Sequence, residues 1–261
     1  MKIISIQEGY QRKFARQANA PWLEFHVHGH CVHVGRVSPG CLSCFANTPG
    51  FTLRLGQDAG LPDVCNRNCR TCFGPHEVAQ DYAPPHDWQL DEHRKQELRH
   101  HFQRMAAILP TPVPGAFPVY GITGRCEPLF YLPVIRQYLA FLREEADALL
   151  GRRGWAKLYT NGTLVTETIA RELRDLGFDE VRVNPSASGF SARVYRAIAM
   201  LAKYLPTVSV EVPVWPPMRD GLFAMLPRLA DLGVRHLDLC QVEPGGDLSD
   251  TLQHVGHDQP P

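Results

Sequence analysis

Neither sign of charge prevails in this chain. Its 261 residues carry 27 Lys and Arg against 27 Asp and Glu, a formal net charge of zero. Nucleic-acid phosphates meet no net attraction in such a chain, so a nucleic-acid partner bound by bulk charge is not expected. Long hydrophobic runs are missing too. No stretch approaches the roughly 20 apolar residues of a membrane helix, so no membrane partner is expected. The opening Met1-Lys2-Ile3-Ile4-Ser5-Ile6-Gln7-Glu8 is too short and too soon charged for a secretory signal, and a reducing, cytoplasmic setting is expected. A shortage of apolar residues, the mark of a disordered chain, is not found: 44% are hydrophobic, enough for a sizeable core. The length suits one large barrel or α/β domain, or two small ones.

What the chain does have is cysteine and histidine, eight and twelve residues. Disulfides are a poor default in a reducing compartment. The cysteines are also grouped: Cys31, Cys41 and Cys44, then Cys65, Cys69 and Cys72, with Cys126 and Cys240 apart. Grouped thiols in an intracellular chain point to metal, redox chemistry or both.

Residues 1–50 read as a separate amino-terminal β-hairpin extension. Trp22 to His28 alternates, Gly29-His30 is a two-residue turn, and Cys31 to Val37 alternates again. That register sets His28 opposite Cys31 and His26 opposite His33. Cys41-Leu-Ser-Cys44 follows. Thiols and imidazoles at this density suit a soft ion: structural zinc, a second iron–sulfur cluster or a thiophilic substrate at Cys31, Cys41 and Cys44. A solvated histidine face beside a reduced cysteine pair is the plain alternative.

From residue 51 to 243 strands and helices alternate. Strands are expected at 51–55, 117–122, 155–159, 181–183, 208–214 and 236–239, and helices at 92–109, 133–150, 166–176, 191–205 and 221–232. This is the beat of parallel β-α units. Six strands fall short of the eight of a closed barrel, so an open barrel and a doubly wound sheet both fit. Residues 244–261 are polar and rich in Gly, Pro and Asp, a loose tail.

In either architecture ligands sit at the carboxyl ends of the strands. The first strand is followed there by Cys65-Asn-Arg-Asn-Cys69-Arg-Thr-Cys72. The second ends in Gly124-Arg-Cys126-Glu127-Pro128, the third in Thr160-Asn161-Gly162, and the fourth in Asn184-Pro-Ser186-Ala-Ser188. On the fifth, Val208, Val210, Val212 and Val214 share a face that should pack under helices. Ser209 and Glu211 share the other, where Glu211 meets a ligand or pairs with a neighbour such as Arg182. Three thiolates on one short loop can ligate three corners of a cubane iron–sulfur cluster and leave one iron open. Zinc is the competitor, but structural zinc sites want four ligands, usually as two separated pairs.

Cys65-x3-Cys69-x2-Cys72 after a first strand, with five more strands following, resembles the radical S-adenosylmethionine (radical SAM) superfamily over residues 51–243. The resemblance implies a partial (β/α)6 TIM-like barrel, a [4Fe–4S] cluster on Cys65, Cys69 and Cys72, and SAM bound at the open iron and cleaved by one electron, usually to a 5′-deoxyadenosyl radical. It implies an external donor such as flavodoxin or ferredoxin and a small-molecule substrate. Gly124, Cys126 and Glu127 resemble the Gly-Gly-Glu-Pro stretch that binds the methionine amino group, with Cys126 replacing its second glycine. Asn161 and Gly162 resemble a Thr-Asn-Gly strand end. Asn184, Ser186 and Ser188 match a polar region that contacts SAM, and Glu211 is a further cofactor candidate. Thr71 stands where many members have an aromatic residue, and Phe73 follows the loop instead. A transferase that moves the 3-amino-3-carboxypropyl group of SAM to a thiophilic acceptor such as trivalent arsenic, as in arsinothricin biosynthesis, is an alternative. A non-catalytic iron–sulfur or zinc module is another. No residue is singled out as a catalytic acid or base.

Overall fold

The computed structural model of the chain describes residues 25–28, 31–34, 38–41, 50–69, 72, 76–108, 118–214 and 218–241. Cys44, Thr71, Phe73, the Gly29-His30 turn and the tail from residue 244 lie outside the described residues, as does the side chain of Cys31.

The chain runs β1 (Phe25–His28), β2 (Cys31–Val34), β3 (Gly50–Arg54), β4 (Val64–Cys65), β5 (Glu77–Val78), α1 (Glu92–Ile108), β6 (Val119–Thr123), α2 (Leu132–Phe141), α3 (Asp147–Leu150), β7 (Trp155–Thr160), α4 (Glu167–Asp175), β8 (Glu180–Val183), α5 (Ala192–Tyr204), β9 (Thr207–Val214), α6 (Arg219–Asp231) and β10 (His236–Gln241). One sheet holds eight of these strands in the order β1-β2-β10-β9-β8-β7-β6-β3. From β3 to β10 each strand of this sheet is laid parallel beside its predecessor. A doubly wound sheet would reverse its order at a switch point. This sheet never does, so every crossover carries its helix to the same face. The architecture is therefore α/β, a partial (β/α)6 barrel. The hairpin is not a separate layer: β2 pairs antiparallel with β10, and β1 with β2, in the register His26 with His33 and His28 with Cys31.

Strand alternation sorts the two faces. Leu53, Ile122, Leu158, Val181 and Val208 are register neighbours across five strands, all at most 1% exposed. They pack under the helices with Leu98, Phe102, Val134 and Ile198. Full burial of each such side chain stabilises the fold by about 1.5–3 kcal/mol. The other face of the same strands carries Thr52, Gly121, Lys157 and Glu180 in one row, with Tyr159, Arg182 and Ser209 above it. Val210 and Val212 are buried as β9 alternation requires, but Val214 is 42% exposed at the end of its strand.

Local signals fix the helix ends. Thr166 caps α4 by accepting from the Ile169 amide (3.2 Å). Gly177, at φ +78°, turns the chain out of it in a conformation that suits glycine. The helix expected over 133–150 is present, running without a break from Leu132 to Leu150, with a wide π-type turn, Leu142–Ala146, between α2 and α3. There Arg143 reaches the carbonyls of Gly154 (2.6 Å) and Gly177 (3.0 Å), tying the helix to the chain on either side of β7 and α4.

Candidate functional site

The cysteine loop is held on both flanks. Cys65 ends β4, which lies parallel to β5 in the register Val64 with Glu77 and Cys65 with Val78, so the segment that carries Cys69 and Cys72 leaves and returns between two short paired strands. Beneath them the Tyr131 hydroxyl accepts from the Val64 amide (2.9 Å) and donates to the Pro62 carbonyl (2.5 Å). The Glu127 amide donates to the Val64 carbonyl (3.0 Å), which docks the loop on the end of β6. Inside the loop the Cys72 amide donates to the Cys69 carbonyl (3.0 Å). His76 sets Nδ1 3.5 Å from the Cys72 thiol and Nε2 2.7 Å from the Arg67 carbonyl.

Each of the first two thiols touches a different strand end. The Asn161 side-chain amide, after β7, donates to Cys65 Sγ (3.8 Å) and to Asn66 Oδ1 (2.8 Å). Cys69 Sγ lies 3.9 Å from the Ala187 carbonyl, after β8. Asn161 Oδ1 is itself fixed by the Thr163 amide (2.9 Å) and hydroxyl (2.5 Å), and Asn66 donates back to that hydroxyl (2.8 Å). The three side chains Asn161, Asn66 and Thr163 form one closed network behind Cys65.

Glu127 is the keystone of the strand ends. It is 1% exposed. Oε1 accepts from the Thr160 hydroxyl (2.6 Å) and the Leu129 amide (3.2 Å), and Oε2 accepts from the Asn161 amide (2.9 Å). These bonds lower its pKa, yet burial outweighs them and raises it to about 7. Three of its roughly four lone-pair positions are used, so its first role is to lock β6 to β7. Gly124 is required by close approach: a Cβ there would lie 2.7 Å from Cys126 Sγ and 3.0 Å from the Leu55 carbonyl. The backbone it admits is that of the chain after β3.

These pieces surround a cavity of about 460 Å³. Cys65, Cys69, Cys72, Gly124, Cys126, Glu127, Asn161, Asn184 and Glu211 line it, so most of the residues expected at the site come together. Ser186 and Ser188 do not line it. Their hydroxyls bond within the turn after β8, to Asn184 Oδ1 (2.5 Å) and the Pro185 carbonyl (3.1 Å). Cys126 is buried, and burial pushes its thiol well above the ordinary range.

Cys41 is not among the residues that line the cavity and packs against side chains of β8 and β10 instead. Its thiol is 2.8 Å from Arg182 Nη2 and 3.6 Å from Asp238, and burial raises its pKa. Arg182, 3% exposed, also bonds Glu180 (2.8 Å), Glu211 (2.8 Å), Asp238 (2.6 Å) and the Ser38 hydroxyl (2.8 Å). Sequence reading offered Arg182 only as a partner for Glu211, and missed Asn66, Thr163, His76, Lys157 and Asp238. Lys157 had a usable signal, a cation at a lumen-facing position of a barrel strand. Asn66 had none, since its role depends on which strand end the loop meets.

Three thiols on one loop are a donor set that an iron–sulfur cluster can use. Among the described residues no three His, Cys, Asp or Glu side chains gather around one point. Burial and the two neighbouring thiols push Cys69 up to about 11, and burial also raises Cys65. Thiols so placed ionise readily only opposite a cationic centre.

No protein-family model matches the chain, and no curated protein does. Solved structures do. The chain shares its fold with anSMEcpe. A polyhistidine-tagged form of anSMEcpe with bound AdoMet aligns at TM-score 0.52 and 16% identity, over 76% of this chain and 54% of that one. Native anSMEcpe with bound AdoMet and Cp18Cys peptide aligns at 0.50 and 14%, over 76% and 53%. Coproporphyrinogen III oxidase (HemN) from Escherichia coli, a radical SAM enzyme, aligns at 0.44 and 12%, over 75% and 44%. The chain thus spans about half the length of the anSMEcpe structures it matches. Among the described residues no helix is long and apolar enough to cross a membrane.

Proposed function

We propose that this chain is a radical SAM enzyme, which reductively cleaves S-adenosylmethionine to make an organic radical, 5′-deoxyadenosyl by default, that modifies a small-molecule substrate. One observation carries the reading. Three thiols on a single loop share a cavity with the ends of β6, β7 and β8, at the carboxyl mouth of a singly wound six-strand barrel. The likeness in fold to anSMEcpe with bound AdoMet supports it. A [4Fe–4S] cluster held by Cys65, Cys69 and Cys72 supplies, when bound, an open iron and one electron. An external donor such as flavodoxin or ferredoxin replaces that electron, so SAM plus one electron gives methionine and the 5′-deoxyadenosyl radical.

The chain's own residues hold and shield. Asn161 and Asn66 steady the Cys65 end of the loop, as outer partners of metal ligands commonly do. Glu127 fixes the rim formed by residues 124–128 against β7. The cavity behind the loop keeps a reactive species away from bulk water.

Anaerobic protein reconstituted with iron and sulfide, then given dithionite and SAM, is expected to release 5′-deoxyadenosine and methionine in equal amounts. Methylthioadenosine in their place would assign cleavage to the other C–S bond and an aminocarboxypropyl transferase. Release of neither would reject the proposal.

A further inference from the structure

The barrel floor carries charges that the cluster chemistry does not use. Lys157 projects from β7 into the cavity. Its stem has room because two glycines flank it: a Cβ on Gly40 would lie 3.3 Å from Lys157 Cδ, and one on Gly121 3.6 Å from Cε. Its ammonium stands 5.5 Å from the centre of the Tyr159 ring. Among the described residues, neither the Lys157 ammonium nor the Tyr159 hydroxyl has a hydrogen-bond or ion-pair partner. Both line the cavity. The ring face meets the ammonium, but a half-buried ammonium and phenol hydroxyl with no hydrogen-bond or ion-pair partner are costly unless a ligand supplies one.

The neighbouring charges decide which ligand. Two cations, Lys157 and Arg182, share the lumen with three carboxylates, Glu180, Glu211 and Asp238. Arg182 is fully engaged. Glu180 and Asp238 are buried, and Glu180 also accepts from Trp155 (3.0 Å) and Ser209 (2.7 Å). Glu211 is different. Its carboxylate is 27% exposed and, among the described residues, bonds only Arg182 Nη1, a nitrogen it shares with Asp238. The groups with capacity to spare are thus one cation with a phenol, on β7, and one carboxylate, on β9. A lone anion would deepen the excess of carboxylates. A lone cation would leave Lys157 unmet. A zwitterion answers both and adds no net charge.

We infer that the cavity receives a substrate of the amino-acid class, its carboxylate on Lys157 and Tyr159 and its ammonium on Glu211. The inference deepens the radical SAM reading, because it names the substrate class of the same chamber. Its test needs neither cluster nor SAM, so the two fail separately. The full metal-free chain, labelled with nitrogen-15, is titrated with glycine, β-alanine and 4-aminobutyrate, which step the distance between the two charges, and with acetate and methylammonium as half-ligands. The amide signals of Gly121, Lys157, Tyr159 and Glu211 are followed. At least one amino acid is expected to saturate these shifts with an affinity about tenfold or more above both half-ligands. Lys157→Met and Glu211→Gln should each weaken it by about tenfold or more, and Lys157→Arg should retain most of it. If Lys157→Met does not fold, Glu211→Gln and Lys157→Arg carry the test. Acetate or methylammonium binding as tightly as the best amino acid, no saturation by any probe, or unchanged affinity in the folded variants would overturn the inference.

Discussion

Replacing Glu127 by Gln perturbs the strand-end lock without changing its shape. The native carboxylate accepts from three donors on β7, its following turn and the turn after β6. An amide keeps one oxygen and turns a donor towards at least one of those groups, which costs about 1–3 kcal/mol. The charge works the other way. Burial raises the carboxyl from 4.5 to about 7 in the native state. Below the lower value both folded and unfolded chains hold the proton. As pH rises from there, the unfolded chain releases its proton while the native chain keeps it, so native stability falls until pH passes the upper value. A shift of this size corresponds to about 3 kcal/mol across the window. Gln does not titrate. Urea unfolding of the metal-free wild type and Glu127→Gln, followed by circular dichroism at a series of pH values, isolates the effect as a difference. The wild type should be the more stable at acid pH, and its advantage should shrink by about 3 kcal/mol, to nothing or to a deficit, by about pH 8. A difference that stays constant across that range would refute the argument that this buried group titrates near neutrality.

Cys65→Ala, Cys69→Ala or Cys72→Ala should each abolish stable cluster assembly, read as iron and acid-labile sulfide per chain and by Mössbauer spectroscopy. Asn161→Ala frees Cys65 and Asn66 from the end of β7. It should lower iron retention by about tenfold or more and make the cluster's midpoint potential more negative, since a hydrogen bond to a ligating sulfur is lost. Gly124→Ala forces a Cβ against Cys126 and Leu55 and should lower stability by about 1–3 kcal/mol in urea melts. Arg182→Met leaves buried Glu180 and Asp238 without their counter-ion and should cost about 3–5 kcal/mol in the same assay.

The barrel was legible because its signals are periodic and local. The valines of β9, the stops at Gly177 and Gly233, and the spacing of Leu98, Phe102 and Met105 each announce an element without knowledge of its neighbours. The choice between an open barrel and a doubly wound sheet was not legible, since strand order is set by packing between elements far apart in sequence. The same division holds at the site. Cys65, Cys69 and Cys72 declare themselves by spacing on one loop. The partnership of Asn161 with Asn66 and Cys65 spans some 95 residues and depends on where the loop lands. Glu127 stood out by its motif, but only the fold shows that its oxygens are occupied by Thr160, Leu129 and Asn161. Arg182 is readable from sequence only as a partner for Glu211, and the register of β7, β8, β9 and β10 is what shows that Glu180 and Asp238 share it.

The central claim is that one iron of a three-thiolate cluster stays open for SAM. Electron paramagnetic resonance of the anaerobically reconstituted, dithionite-reduced chain, recorded before and after SAM is added, tests it most directly. A reduced [4Fe–4S] signal whose g-values shift on addition of SAM is the predicted result. No cubane signal at all, or one that SAM leaves unchanged, would contradict it.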